Sequence, residues 1–258
     1  MNADTCEPHI SDAGLPRRDA MLERERSLYA EMVSRLGGEA DRSRGATPST
    51  PERPLTAQRL THSLASSDTI VAAAAAFLVG RVRCVDAAAD EALLSALRVV
   101  LTSDAEGAVR SEAAMSLVVR GEREVGQEAL RAIARSTNPF DEGYNAAAYL
   151  TQLDDPSGWT AITRAASSEL GHYRLMALRR APLFTPWRGT QVGSEPVDPA
   201  ALLRSRADDP SELVRRELPM LMEAVGIEDA ERAVLEALSN DESTDVRRLA
   251  TEVLERQR

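Results

Sequence analysis

The residues of this chain whose types and spacing could do chemistry are four arginines at one position of a recurring pattern and a set of aromatics in its middle. Arg110, Arg174, Arg215 and Arg247 would stand in a row if the segments carrying them stack, and a row of guanidinium groups can hold an anion. The preferred reading is a ladder in which each arginine reaches the aspartate of its own or an adjacent repeat, because Asp104, Asp209 and Asp241 recur at a fixed offset from three of them. Arg179, Arg180, Arg188 and Arg216 fall outside that pattern and are more open to function, although solvated helix faces are the preferred reading there too. Seven of the nine aromatics lie between Phe140 and Trp187. They make Tyr144, Tyr149, Trp159, His172, Tyr173, Trp187 and Arg188 the candidate partner-binding residues, against the alternative that the rings pack an interior where the pattern degenerates.

Other chemistries find no residues to carry them. His9, His62 and His172 are isolated, with no HExxH, no His-Cys cluster and no paired carboxylates, so no metal is expected. The glycines form neither GxGxxG nor GxxxxGK[ST], and no cofactor is expected. Cys6 and Cys84 have no CxxC spacing, and the simplest reading is a reduced, intracellular chain in which Cys84 is an inert buried thiol, or a reactive one beside Arg81 and Arg83. There is no lysine, so arginine supplies all 31 basic residues against 41 acidic ones. The net charge of −10 repels phosphate backbones and anionic lipid on average, which leaves nucleic acid a minority hypothesis.

The elements that must position these residues are helical. Only 3% of residues are aromatic, while alanine recurs in runs at 72–76 and 146–148, a composition suited to helices packed closely through small side chains. From Thr56 onward the helices repeat. Asp104, Asp209 and Asp241 are each followed, after four residues, by Val-Arg: Val109-Arg110, Val214-Arg215 and Val246-Arg247. Apolar residues then fall four and eight positions beyond each valine. Weaker copies place Ile70, Glu142 and Tyr173 at the valine position, with Leu78, Leu150 and Ala181 eight residues on. Successive spacings are 39, 33, 31, 41 and 32 residues, the longest coinciding with a Pro/Gly-rich insertion at 182–198. An amphipathic stretch precedes the second to sixth of these helices, so the predicted fold is all-α, an α-solenoid of about six helical hairpins over residues 56–258. Residues 1–55 read as an extension with one amphipathic helix over 17–36 and a flexible polar linker. They hold no signal-peptide pattern, and the longest apolar run, 70–80, is too short to span a bilayer, so a soluble cytoplasmic protein is expected.

The Asp-x4-Val-Arg-x2-Ala-Ala-x2-Leu arrangement resembles the HEAT repeat, especially the short bacterial form seen in phycobilin-lyase-like proteins. The resemblance is strong at Asp104, Asp209 and Asp241 and weak where Tyr144-Asn145 and His172-Tyr173 interrupt it. It implies that the second helix of each hairpin, beginning at Val-Arg, lines the working face. The function expected from these features is a non-catalytic interaction scaffold that binds a protein or peptide partner and is itself a monomer, since the final helix carries charge on its outer side. The alternative is a HEAT-like enzyme or ligand handler, like a DNA glycosylase, which would need a catalytic carboxylate and groove tryptophans such as Trp159 and Trp187, or like a phycobilin lyase.

Overall fold

A computed structural model of the chain describes residues 5–8, 55–136 and 143–257. The expected helix at 17–36 and its linker lie outside these residues, as does Glu142. The chain divides into two compact units, Met1–Leu153 and Asp154–Arg258, where the sequence suggested a single repeat domain after residue 55. The fold class is the one expected, an all-α solenoid of HEAT-like helical hairpins. The first unit holds α1 (Ala57–Leu64), α2 (Thr69–Arg81), α3 (Ala87–Thr102), α4 (Gly107–Val119), α5 (Arg123–Arg135) and α6 (Gly143–Gln152), with two short strands, β1 (Cys6–Pro8) and β2 (Val82–Cys84). The second holds α7 (Trp159–Ala166), α8 (Gly171–Arg180), a 3-10 segment (Ala181–Trp187), a β3–β4 hairpin (Gln191–Val192, Glu195–Pro196), α9 (Pro199–Arg204), α10 (Glu212–Val225), α11 (Asp229–Leu238) and α12 (Thr244–Arg256). The insertion is therefore structured, as a 3-10 turn followed by the hairpin.

Local chemistry fixes where these helices begin. Asp68 accepts hydrogen bonds from the Ile70 and Val71 amides at 2.9 and 3.3 Å, Asp86 from Ala88 at 3.1 Å, and Asp198 from Ala201 at 2.9 Å, with Pro199 in the first turn. A left-handed glycine, Gly226 at φ 97°, ends α10, as the missing Cβ allows. The repeat register carries into the interior: Val109, Ala113 and Leu117 are buried in the first unit, and Val214, Leu218 and Met222 in the second. The first hairpin departs from it. Ile70 is 59% exposed, although Ala74 and Leu78, four and eight residues on, are buried as the pattern suggested.

Small residues let neighbouring helices approach closely, as expected. Ser116 Oγ donates to the Ala76 carbonyl at 2.7 Å where α4 crosses α2. At Gly126 in α5 an added Cβ would lie 2.3 Å from the Ala114 carbonyl oxygen, which is backbone and cannot swing aside. Gly126→Ala is therefore expected to destabilise by about 1–3 kcal/mol despite alanine's better helix propensity, read as a lowered thermal midpoint.

The cysteines correct the reading of a reduced chain. Cys6 and Cys84 form a disulfide across the antiparallel β1–β2 pair, in which they stand directly opposite each other. Spacing gave no sign of it because the partners are 78 residues apart and only the docking of β1 on the edge of the first unit brings them together. Among the described residues, no helix is long and apolar enough to cross a membrane.

Candidate functional site

The second helices of the first three hairpins, α2, α4 and α6, pack α2 on α4 and α4 on α6 and bring three polar groups to one place. Glu112 stands one turn into α4, between buried Ser111 and buried Ala113. The Tyr149 hydroxyl, from the last turn of α6, donates to Glu112 Oε1. Arg81, the last residue of α2, lies near enough for its charge to act on the same carboxyl. Arg81 is itself buried, its guanidinium 3.6 Å from the Phe77 ring centroid and donating to the Phe77 carbonyl at 3.2 Å.

Burial pushes the Glu112 carboxyl above its ordinary value, and neither the Tyr149 hydrogen bond nor the Arg81 charge, both of which favour the ionised form, offsets it. Glu112 and Tyr149 are nevertheless only half-buried. A carboxyl in this state exchanges a proton at a pH where an exposed glutamate is already ionised, with a phenol beside it and a fixed cation nearby. That set can transfer a proton or grip a polar group on a ligand. Sequence reasoning picked out Tyr149 but not Glu112; the available signal was a lone carboxylate set among the small buried positions of the strongest repeat copy.

The second unit carries the arginine ladder. Arg174 donates to Asp209 through Nε and Nη2 at 2.7 and 2.6 Å, and through Nη1 to the carbonyls of Ser168 and Glu169. Arg215 repeats this one hairpin on, reaching Asp241 at 2.8 and 3.2 Å and the Asp209 carbonyl at 2.8 Å. Arg247 holds the carbonyls of Asp241 and Glu242. Each rung thus ties a helix to its own leading turn, and the first two also to the aspartate of the next hairpin. The aspartates do not cap the following helices directly. Asp209 and Asp241 instead accept from the Ser211 and Ser243 amides at 2.9 and 2.8 Å, closing Asx turns just before them. Burial alone would raise the Asp209 carboxyl, but the hydrogen bonds from Arg174 and Ser211 outweigh it and hold the group below its usual range. At Asp241 the bond from Arg215 dominates, with the same direction. Asp104 differs: it is exposed, and Ser103 Oγ accepts the turn bond from Ala105 in its place. A cleft of about 440 Å³ beside this ladder is lined by Asp209, Arg215, Asp241 and Glu242, whose charges are already paired, Asp209 with Arg174 and the two other carboxylates with Arg215.

The other sequence candidates scatter. Tyr144 is buried in the first unit. Trp159 is 2% exposed, packed at 5.3 Å on Phe184 and donating through Nε1 to the Pro196 carbonyl at 3.1 Å, which makes it an interior anchor for the insertion. Trp187 is half-buried on the other side of Phe184, and Arg188 is exposed and paired with Glu228 at 3.0 Å. On α8 His172 is exposed and Tyr173 half-buried, with ring centroids 4.2 Å apart. Among the described residues, no three His, Cys, Asp or Glu side chains gather as a metal would require.

No protein-family model matches the chain, and no curated protein sequence matches it. Solved structures do. The chain is similar to an engineered protein (17% identity, 77% of this chain and 95% of the other, TM-score 0.47). It is also similar to the complex of CpcE and CpcF of phycocyanin lyase from Nostoc sp. PCC7120 (18%, 81% and 79%, TM-score 0.43). A third is human deoxyhypusine hydroxylase in complex with glycerol (16%, 92% and 97%, TM-score 0.29). The second of these structures is itself a complex of two protein chains, CpcE and CpcF. The expectation of a non-catalytic scaffold is not carried forward, since the similar structures include a phycocyanin lyase complex and deoxyhypusine hydroxylase.

Proposed function

We propose that this chain is a HEAT-like enzyme or ligand handler of the first unit's second-helix face, centred on Glu112, Tyr149 and Arg81. The observation that carries the reading is the Glu112 carboxyl, pushed up by burial while Tyr149 donates to it and a guanidinium lies near. A group that the fold desolvates and yet leaves half accessible is costly for stability and useful for chemistry. Glu112 acts as the proton donor or acceptor, Tyr149 fixes which carboxyl oxygen faces the ligand, and Arg81 favours a ligand group that gains negative charge. A small molecule fits this centre better than duplex DNA, because Trp159 is interior and the chain is strongly acidic.

The test is a binding screen of the purified chain, by mass spectrometry after ultrafiltration, against a mixed small-molecule library and, separately, a linear tetrapyrrole, the ligand class that the repeat resemblance implies. Glu112→Gln keeps an acceptor for the Tyr149 hydroxyl and removes the desolvated charge, so it is expected to stay folded, with a thermal midpoint at pH 7 no lower than the parent. Its ligand retention is expected to fall by about tenfold or more, and that of Tyr149→Phe by about fivefold or more, on the scale of one lost hydrogen bond to a charged group. A ligand retained equally by the parent and both variants would place the site elsewhere.

A further inference from the structure

The described residues also hold a covalent element that the Glu112 centre does not use. Strand β1 lies antiparallel on β2 with Cys6 opposite Cys84, Glu7 opposite Arg83 and Pro8 opposite Val82, and the two cysteines are joined. The two strands are anchored very differently. Arg120, whose side chain is 1% exposed, donates through Nη1 to the carbonyls of Val79 and Val82 at 2.9 and 3.1 Å and through Nη2 to Asp90. Asp90 in turn accepts from the Cys84 amide at 2.9 Å. The end of α2 and both ends of β2 are thus held by the Arg120–Asp90 ion pair through bonds that do not involve β1. Strand β1 is three residues long; on its other side Thr5 bridges Thr56, the Cys6 amide donates to the Leu55 carbonyl at 2.9 Å, and the Cys6 side chain is buried against the first unit's core. A two-stranded pair of that length is not stable on its own.

We propose that the Cys6–Cys84 bond is a redox clasp: reduction frees β1 from the edge of the first unit, while β2 stays where Arg120 and Asp90 hold it. The step balances as ordinary thiol–disulfide exchange. Two glutathione thiols, or one dithiol, give two electrons and two protons, the S–S bond between Cys6 and Cys84 breaks to two thiols, and the reductant leaves as its disulfide. Cys84 is the fixed half and Cys6 the mobile half. Because Arg81 belongs to the gripped end of α2, the clasp opens without dismantling the Glu112 centre, and either idea can fail alone.

The experiment equilibrates the full chain in glutathione buffers of increasing reduced-to-oxidised ratio, counts thiols by maleimide labelling and mass spectrometry, and follows amide hydrogen exchange. In the oxidised buffer Cys6 and Cys84 are expected to be unlabelled, and in the reduced buffer both label. On reduction, exchange at Cys6 and Glu7 is expected to accelerate by about tenfold or more while residues 82–90 stay within about twofold. Cys6→Ser is expected to show the fast exchange at Glu7 in either buffer. Failure of the bond to form in oxidised glutathione, unchanged exchange at residues 6 and 7 on reduction, or a rise spread over residues 82–90 as well would each overturn the proposal.

Discussion

Asp209→Ala is expected to cost about 3–5 kcal/mol, read as a lowered urea midpoint with an unchanged slope, because it strands the buried Arg174 guanidinium without its counter-charge. The Arg174 and Asp209 side chains are 7% and 1% exposed, so water cannot take the place of either partner. The same change opens the Asx turn at Ser211 that leads into α10. Its pH dependence has a definite sign. The Asp209 carboxyl is held below its usual range, so its contribution is present above the unfolded value of about 3.9 and is lost as pH falls through the lower folded value. Asp209→Ala should therefore flatten that part of the acid limb. Asp209→Asn, which keeps the turn acceptor but not the charge, should lose less at neutral pH while flattening the limb equally.

Trp159→Ala is expected to cost a similar amount, about 3–5 kcal/mol, and to do so through packing. The indole fills the interior of the second unit against Phe184, and its N–H satisfies the Pro196 carbonyl at the end of the β3–β4 hairpin. Trp159→Phe keeps most of the ring contact and leaves that carbonyl without its donor, so it should fall between the parent and the alanine variant. Tyr173→Ala is the contrast, since its ring is only half-buried and packs on exposed His172, so its removal should cost about 1 kcal/mol, well below the loss at Trp159. Thermal unfolding of the three variants separates an interior indole from a half-buried phenol ring. An alanine variant at Trp159 as stable as the parent would contradict the packing described for the insertion.

Much of the fold is legible in the sequence because its period is helical and its turns are capped by aspartate. The valine positions at 109, 214 and 246 start second helices, and the Arg215 rung sits at the fixed Asp-to-Arg offset, whereas Arg174 has Ser168 at that offset and shows its role only by reaching Asp209 of the next hairpin. The first hairpin departs at Ile70, which is exposed, because α2 is apolar on nearly every side and a run of alanines does not say which side faces in. The Cys6–Cys84 bond was invisible for a different reason: no local spacing encodes a contact made across 78 residues. Glu231 is a third case, a fully buried carboxylate that accepts from Arg204 and closes a capping box with Glu228, yet reads in sequence as one more surface charge of α11. The candidate site was half legible. Tyr149 stood out as one of the aromatics clustered between Phe140 and Trp187, whereas Glu112 becomes notable only when α2 and α6 close over it.

The two units should answer acid in opposite senses. In the second, Asp209, Asp241, Glu223 and Glu231 are all held below their usual range, so lowering the pH through their folded values removes stability there. In the first, Glu112 is raised, so the folded state binds its proton more tightly than the unfolded chain and the associated stability falls as pH rises from the ordinary glutamate value through the raised one. The measurement that tests the proposed centre most directly is the titration of the Glu112 side-chain carboxyl by carbon-detected NMR in the folded chain, with Glu112→Gln to assign the resonance. The predicted midpoint lies clearly above the ordinary glutamate value of about 4.3 and shifts further upward in Tyr149→Phe, which removes a donor favouring the ionised form. A midpoint at or below that value, unmoved by Tyr149→Phe, would contradict the account of Glu112 as the working group of this protein.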